Sequence, residues 1–197
     1  MLRVAFMQIY VNKIYTLEYQ TIPNMTFNKI LVPYDSSKAS NRALSNAVKL
    51  AKMSRESQVN HKHDHVVTII LLHVLSEIPL PLSFGGVYLG MLSEKTGERI
   101  TFREYLKEAY QEMKGSAIKM LKQKIEEYKN DTEKLNINLK VSIGLPADKI
   151  METANEEKVD LVIIGTTGLT GVSKIKALGS VARNVSERAT CPVMLVR

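Results

Sequence analysis

A single cysteine, Cys191, occurs in the 197 residues, which excludes an internal disulfide and a cysteine-ligated metal cluster. It stands in Ala-Thr-Cys-Pro-Val just ahead of an apolar run, where a small buried thiol is expected. Long apolar runs are also missing. The stretch Val66 to Leu75 is interrupted by Thr68 and His73 and is too short to span a bilayer. The opening residues, MLRVAFMQIYVNKIY, have no clean apolar core because Gln8, Asn12 and Lys13 break it, and no small-residue cleavage site follows. A cytoplasmic chain with no membrane partner is the expectation. The net charge is +7, yet no basic run is interleaved with aromatics. Much of the lysine alternates with glutamate between Arg103 and Lys129, which reads as a solvated helix face. Nucleic acid is therefore not an expected partner, and the charge argues only weakly for an anionic ligand.

From residue 25 onward, strands and helices alternate. Lys29 to Tyr34 (KILVPY) is a short apolar strand, and Ser37 to Met53 a helix with Ala39, Ala43, Leu44, Ala47, Val48 and Ala51 on one face. Val66 to Leu75 is a β-branched strand. Ile100 to Lys129 is a long helix with Leu106, Tyr110, Met113, Ile118, Leu121 and Ile125 as its apolar positions. Leu135 to Ile143 alternates like a strand, and Pro146 to Glu156 is a short helix with proline in its first turn. Val159 to Ile164, Ser180 to Arg188 and Pro192 to Val196 complete the series as strand, helix and strand. This pattern predicts a doubly wound α/β fold, with a five-stranded parallel sheet sandwiched by helices. The near-continuous apolar strands fit a sheet covered on both faces.

Two segments stand apart. Residues 1–24 have no partner in the pattern and precede Met25; they are either an appended strand or arm, or residues upstream of a true start at Met25, and the second reading is favoured. The domain proper is then 25–197, with a long connection at 76–99 that carries three kinds of punctuation: Pro79 and Pro81, the pair Gly85-Gly86, and Gly90 and Gly97. Such a length suits a lid or contact loop.

Doubly wound sheets take ligands at the carboxyl ends of their strands, beside the point where strand order reverses. That rule directs attention to Pro33-Tyr34-Asp35, His73-Val74-Leu75 and Gly165 to Gly168. A buried strand runs directly into Gly165 and Gly168, and Gly179-Ser180-Val181 then opens a helix. Glycines let backbone amides approach an anion without a Cβ in the way. The free amides of Gly179, Ser180 and Val181 would meet it at a helix N-terminus, with Ser180 capping the helix. The plainer alternative is that the glycines only make turns and Ser180 only caps. Neither a Walker A loop nor a GxGxxG fingerprint is present. His61, His63 and His65 could hold a metal from one strand face, but a polar linker is the favoured reading.

Several segments together resemble the universal stress protein family: KILVPYDSSKASNRAL, LLHV, Gly144-Leu145-Pro146, VDLVIIGTTGLTG, LGSVARNV and CPVMLVR, in that order over residues 27–197. Nucleotide-binding members carry Gly-x2-Gly-x9-Gly-Ser/Thr. Gly165, Gly168, Gly179 and Ser180 match it with one residue more, since ten residues, Leu169 to Leu178, separate the second and third glycines. Asp35-Ser36-Ser37 stands where Asp-Gly-Ser is usual, and Thr166-Thr167 where many members have serine followed by histidine or arginine. The resemblance implies a Rossmann-like fold of the adenine nucleotide alpha hydrolase-like kind and a site for ATP or AMP, with magnesium accompanying ATP. By the same resemblance, Asp35, with Pro33 and Tyr34, would lie near the adenosine, and the Val74 backbone would read the adenine edge. Gly165 and Gly168 would line the ribose and first phosphate, and Gly179, Ser180 and Val181 would hold the outer phosphates. Asp35 has a second reading as the cap of the first helix, and Lys174 and Lys176 as solvated loop lysines. The family likeness further implies a homodimer, paired edge to edge through Pro192 to Val196. With no carboxylate pair or histidine placed to activate a water near the glycine loop, the expected role is that of a dimeric sensor or regulatory module. A slow ATPase or phosphotransferase, or a nucleotide-free interaction module, are the alternatives.

Overall fold

The computed structural model describes residues 6–10, 13–16, 27–56, 66–78, 91–128, 135–167 and 178–197. In chain order the elements are β1 (Phe6–Tyr10), β2 (Lys13–Thr16), β3 (Lys29–Pro33), α1 (Lys38–Glu56), β4 (Thr68–Leu75), β5 (Met91–Leu92), β6 (Arg99–Ile100), α2 (Phe102–Glu126), β7 (Asn136–Ile143), α3 (Pro146–Glu156), β8 (Leu161–Gly165), α4 (Ser180–Arg188) and β9 (Val193–Val196). The main sheet runs β2-β1-β9-β8-β3-β4-β7. Its five predicted strands, β9-β8-β3-β4-β7, are all parallel to one another.

Side-chain alternation along these strands feeds two cores, one on each face of the sheet. Ile30 and Val32 of β3 join Ile69, Leu71, Leu161 and Ile163 beneath α1 and α2. Leu31 faces the other way, with Ile70, Leu72, Val162 and Ile164, against α3 and α4. A strand buried on both faces has no polar side, which is why the sequence shows apolar runs here in place of alternation. All six residues predicted to form the buried face of α1 are buried. Four of the six are alanines, and their small side chains let α1 lie close to β8. On α2 the expectation holds only in part: of its six apolar positions Leu121 is buried and four are half-buried, whereas Ile118 is exposed. The helix packs on β7 and β4 over its carboxyl-terminal half, and its amino-terminal half flanks an open cavity.

Strand order reverses between β3 and β8. From β3 the chain moves outward through β4 to β7, and from β8 it moves the other way to β9. The crevice predicted by the strand-end rule therefore lies above the carboxyl ends of β3 and β8.

Residues near the amino terminus form a hairpin that joins this sheet. β1 and β2 pair antiparallel from Met7↔Thr16 to Tyr10↔Lys13. β1 also pairs antiparallel with β9 through Phe6↔Met194 and Met7↔Val193. The segment left without a partner by the sequence pattern thus finds one at the other end of the chain, on the strand expected to pair two copies of the chain. Within the long connection, β5 and β6 make a small separate hairpin.

Candidate functional site

The β3 end of the crevice is shaped by three consecutive polar residues. The Ser37 amide donates to Asp35 Oδ1 at 3.0 Å, closing a tight turn. Ser37 Oγ then accepts from the Ser40 amide at 3.1 Å and so caps α1. The capping role open to Asp35 in the sequence falls to Ser37. Between them, Ser36 takes φ +67°, the left-handed region that disfavours a Cβ. Glycine is usual at this place in the resembling family, and the geometry supplies the reason. The Ser36 hydroxyl turns outward to Met120 Sδ of α2, at 2.9 Å. Tyr34 is buried and donates its hydroxyl to Asn41 Oδ1 at 3.1 Å. Burial pushes its phenol above the ordinary range, with the Lys124 ammonium opposing.

The β8 end comes to the same place. Gly165 lies against the start of α1, where an added Cβ would stand 2.8 Å from the Ala39 carbonyl carbon and from Ala39 Cβ. Only a glycine permits that approach. Thr166, which follows, is buried; its amide donates to the Val196 carbonyl at 2.7 Å, and its own carbonyl accepts from the Gly179 amide at 2.8 Å. Ser37 Oγ also reaches the Thr167 carbonyl at 3.4 Å. These contacts bring Asp35, Gly165 and Gly179 into one cluster at the switch point.

Helix α4 starts differently from the expectation. Gly179 is its N-cap and Ser180 its first helical residue, and no side chain caps it. Ser180 does not cap because it already has helical backbone, one position past the cap. The Gly179 amide is not free either, since Thr166 takes it. The donors of the first turn are thus those of Ser180, Val181 and Ala182, at the positive end of the helix dipole. A Cβ on Gly179 would stand 3.0 Å from the Thr166 carbonyl oxygen, a tight contact that the carbonyl would have to ease by a few tenths of an ångström. Gly168, Lys174 and Lys176, and the histidines 61, 63 and 65, lie outside the described residues. Among the described residues, no group of three or more His, Cys, Asp or Glu is arranged to hold a metal ion.

Val74 stands on β4, one strand further from the switch point. Its side chain packs toward the α3 and α4 face. The Leu72 carbonyl accepts from Tyr34 on the β3 side, and the Leu75 carbonyl accepts from Gly144 on the β7 side. Alternation therefore turns the Val74 amide and carbonyl toward β3, just where β3 has ended and its chain turns away. Neighbouring His73 is half-buried, with Nδ1 2.7 Å from the Tyr34 carbonyl. That contact fixes Nδ1 as the protonated nitrogen. The other side of the ring borders a cavity of about 610 Å³ between β4 and α2, also lined by Tyr105, Glu108 and Met113. This cavity contains none of Asp35, Gly165 or Gly179 and is separate from the predicted site. The sequence reading missed Ser37 and Thr166, which bind the two halves together. The only signals for them are a serine one position before a helix and a threonine directly after a strand-end glycine.

Such a site, with loop ends and a helix N-terminus gathered at the reversal of a doubly wound sheet, defines a class of ligand-binding α/β domains. The sequence matches the universal stress protein family over residues 26–197, and the chain belongs to that family. A universal stress protein of Methanocaldococcus jannaschii is 32% identical over 171 residues, covering 87% of this chain and 82% of its own length. Among solved structures, the universal stress protein UspA of Lactobacillus plantarum superposes with a TM-score of 0.62 at 23% identity, covering 88% of this chain and 100% of that one. A universal stress protein solved in complex with cAMP gives 0.54 at 20% identity, covering 87% and 98%. Both structures share the fold described above.

Proposed function

We propose that the crevice between β3 and β8 binds an adenine nucleotide, and that the chain works as a regulatory module through contacts between copies. One observation carries the reading. The uncapped N-terminus of α4 meets the Thr166 backbone at the switch point, the Ser37 hydroxyl ties the next residue to the Asp35 turn, and close approach to α1 requires Gly165. The amides of Ser180 and Val181, with the Ser180 hydroxyl, suit the phosphates. Asp35 suits the ribose hydroxyls, and the Val74 backbone groups suit the edge of the base. Pro33 and Tyr34 suit the wall between them, and Gly165 the floor. Family membership and the cAMP held by a structural neighbour support the adenine nucleotide class. ATP and AMP both fit this chemistry, with magnesium accompanying ATP.

Native mass spectrometry of the purified protein, with melting curves in ATP, AMP and cAMP, tests the proposal. A ligand at 100 times its Kd stabilises by about 2.7 kcal/mol, which for a chain of this size raises Tm by roughly 5–10 °C. Gly179→Val should abolish that rise. No co-purifying nucleotide together with no rise in Tm would overturn the proposal. Sustained phosphate release lost in the same variant would instead indicate turnover.

A further inference from the structure

The hairpin of β1 and β2 closes an edge that would otherwise be open. Without it, β9 is the last strand on its side of the sheet and offers the backbone of Val193 to Val196, an uncharged apolar run. Such an edge is a template for another strand. With the hairpin docked, the outermost strand is β2, which is only four residues long and begins with Lys13. Short, charged edges resist pairing.

Two further features define what the hairpin displaces. First, β1 runs antiparallel to β9. A second copy of this chain related by a two-fold axis would also bring its β9 antiparallel to the first, using the same row of amides and carbonyls. Second, the hairpin and β9 each have a partner of their own. Among the described residues, β1 and β2 share four residue pairs, and a parallel ladder of four holds β9 to β8. The hairpin can therefore leave as a unit while β9 stays in place.

We propose that the amino-terminal hairpin is an intramolecular edge cap that competes with a second copy of the chain for β9. Docked, it keeps the chain monomeric; released, it exposes the edge through which two copies pair. This rests on the self-association part of the function proposed above and is independent of its nucleotide part.

Met7→Pro is the direct test. The carbonyls of Pro192 and Val196 face β8, so alternation turns the backbone of Val193 toward β1, where it pairs with Met7. Loss of the Met7 N–H therefore acts on the β9 contact. Sedimentation velocity over a range of concentrations should show self-association at least about tenfold tighter in the variant than in the native chain, equivalent to about 1.4 kcal/mol. Amide exchange at Val193, which faces β1, should be independent of concentration in the native chain and slow with rising concentration in the variant. Tyr15→Pro breaks the hairpin itself, lies on the strand beyond β1, and should shift association in the same direction if Met7→Pro does not fold. Equal association of variant and native chains, or a Val193 amide as protected in the dilute variant as in the native chain, would overturn the proposal. Retained nucleotide binding in that case would leave the nucleotide reading intact. Tighter association without any nucleotide response would count against the nucleotide reading alone.

Discussion

The two ends of the parallel sheet are built from different chemistry. At the amino end, carboxylates lock the strands together. Asp160 accepts from the Asn28 amide at 2.8 Å and from the Lys29 amide at 3.2 Å, which ties the start of β8 to the start of β3. Lys29 Nζ donates to the Glu157 carbonyl at 2.9 Å, and Lys140 Nζ donates to the Glu157 carboxylate at 3.3 Å. The hydrogen bond from Lys140 holds the Glu157 carboxyl below the ordinary glutamate range. At the carboxyl end, the junctions are made by hydroxyls and backbone groups. Ser36 and Gly144 sit there at positive φ, as Lys158 does at the amino end, and both α3 and α4 begin there without a side-chain cap. The first end is closed on itself. The second leaves the first-turn amides of two helices without a side-chain acceptor.

Three substitutions probe this contrast. The largest effect is expected at Gly165→Ala, where the new Cβ must displace the backbone of α1. A loss of about 2–3 kcal/mol would lower Tm by roughly 5–10 °C, with nucleotide response falling in parallel because Ser37 and Thr167 separate. Calorimetry showing no change would mean that α1 yields freely and that the glycine is not needed for packing. Next comes Asp160→Ala at the opposite end, which leaves two backbone amides without their acceptor. It should cost about 1–2 kcal/mol while leaving nucleotide binding unchanged, and a loss of binding would erase the division between the ends. The smallest effect is that of Ser36→Gly, which relieves the positive φ. It should stabilise the chain by about 0.5–1 kcal/mol, read as a small rise in the denaturant midpoint. A fall would show that the Ser36–Met120 contact outweighs the strain.

Much of this arrangement was legible in the sequence because it depends on local signals. The helices at Pro146–Glu156 and Ser180–Arg188 have the bounds that proline and the glycine-serine pair announce. The buried face of α1 follows from its alanine spacing, and strand-helix alternation pointed to three strand ends, of which those of β3 and β8 flank the switch point. What escaped depends on contacts between distant residues or on single torsion angles. Asp35, Ser36 and Ser37 are all acceptable turn and cap residues, and only the backbone decides that Ser37 caps α1. The Gly179 amide could be counted as free until Thr166 was placed beside it. Ile118 fits the apolar spacing of α2, yet it is exposed because a helical stripe extends beyond the surface it covers. The hairpin could not be read at all, since its pairing with β9 joins opposite ends of the chain. Other expectations concern Gly168 and the histidines 61, 63 and 65, which fall outside the described residues.

Cys191 gives the chain a built-in clock. It is the sole thiol, half-buried two residues before β9, and burial raises its pKa, so it reacts slowly while that strand is in place. Its rate of modification by a thiol reagent therefore times the transient opening of the β9 region, with no label or engineered residue.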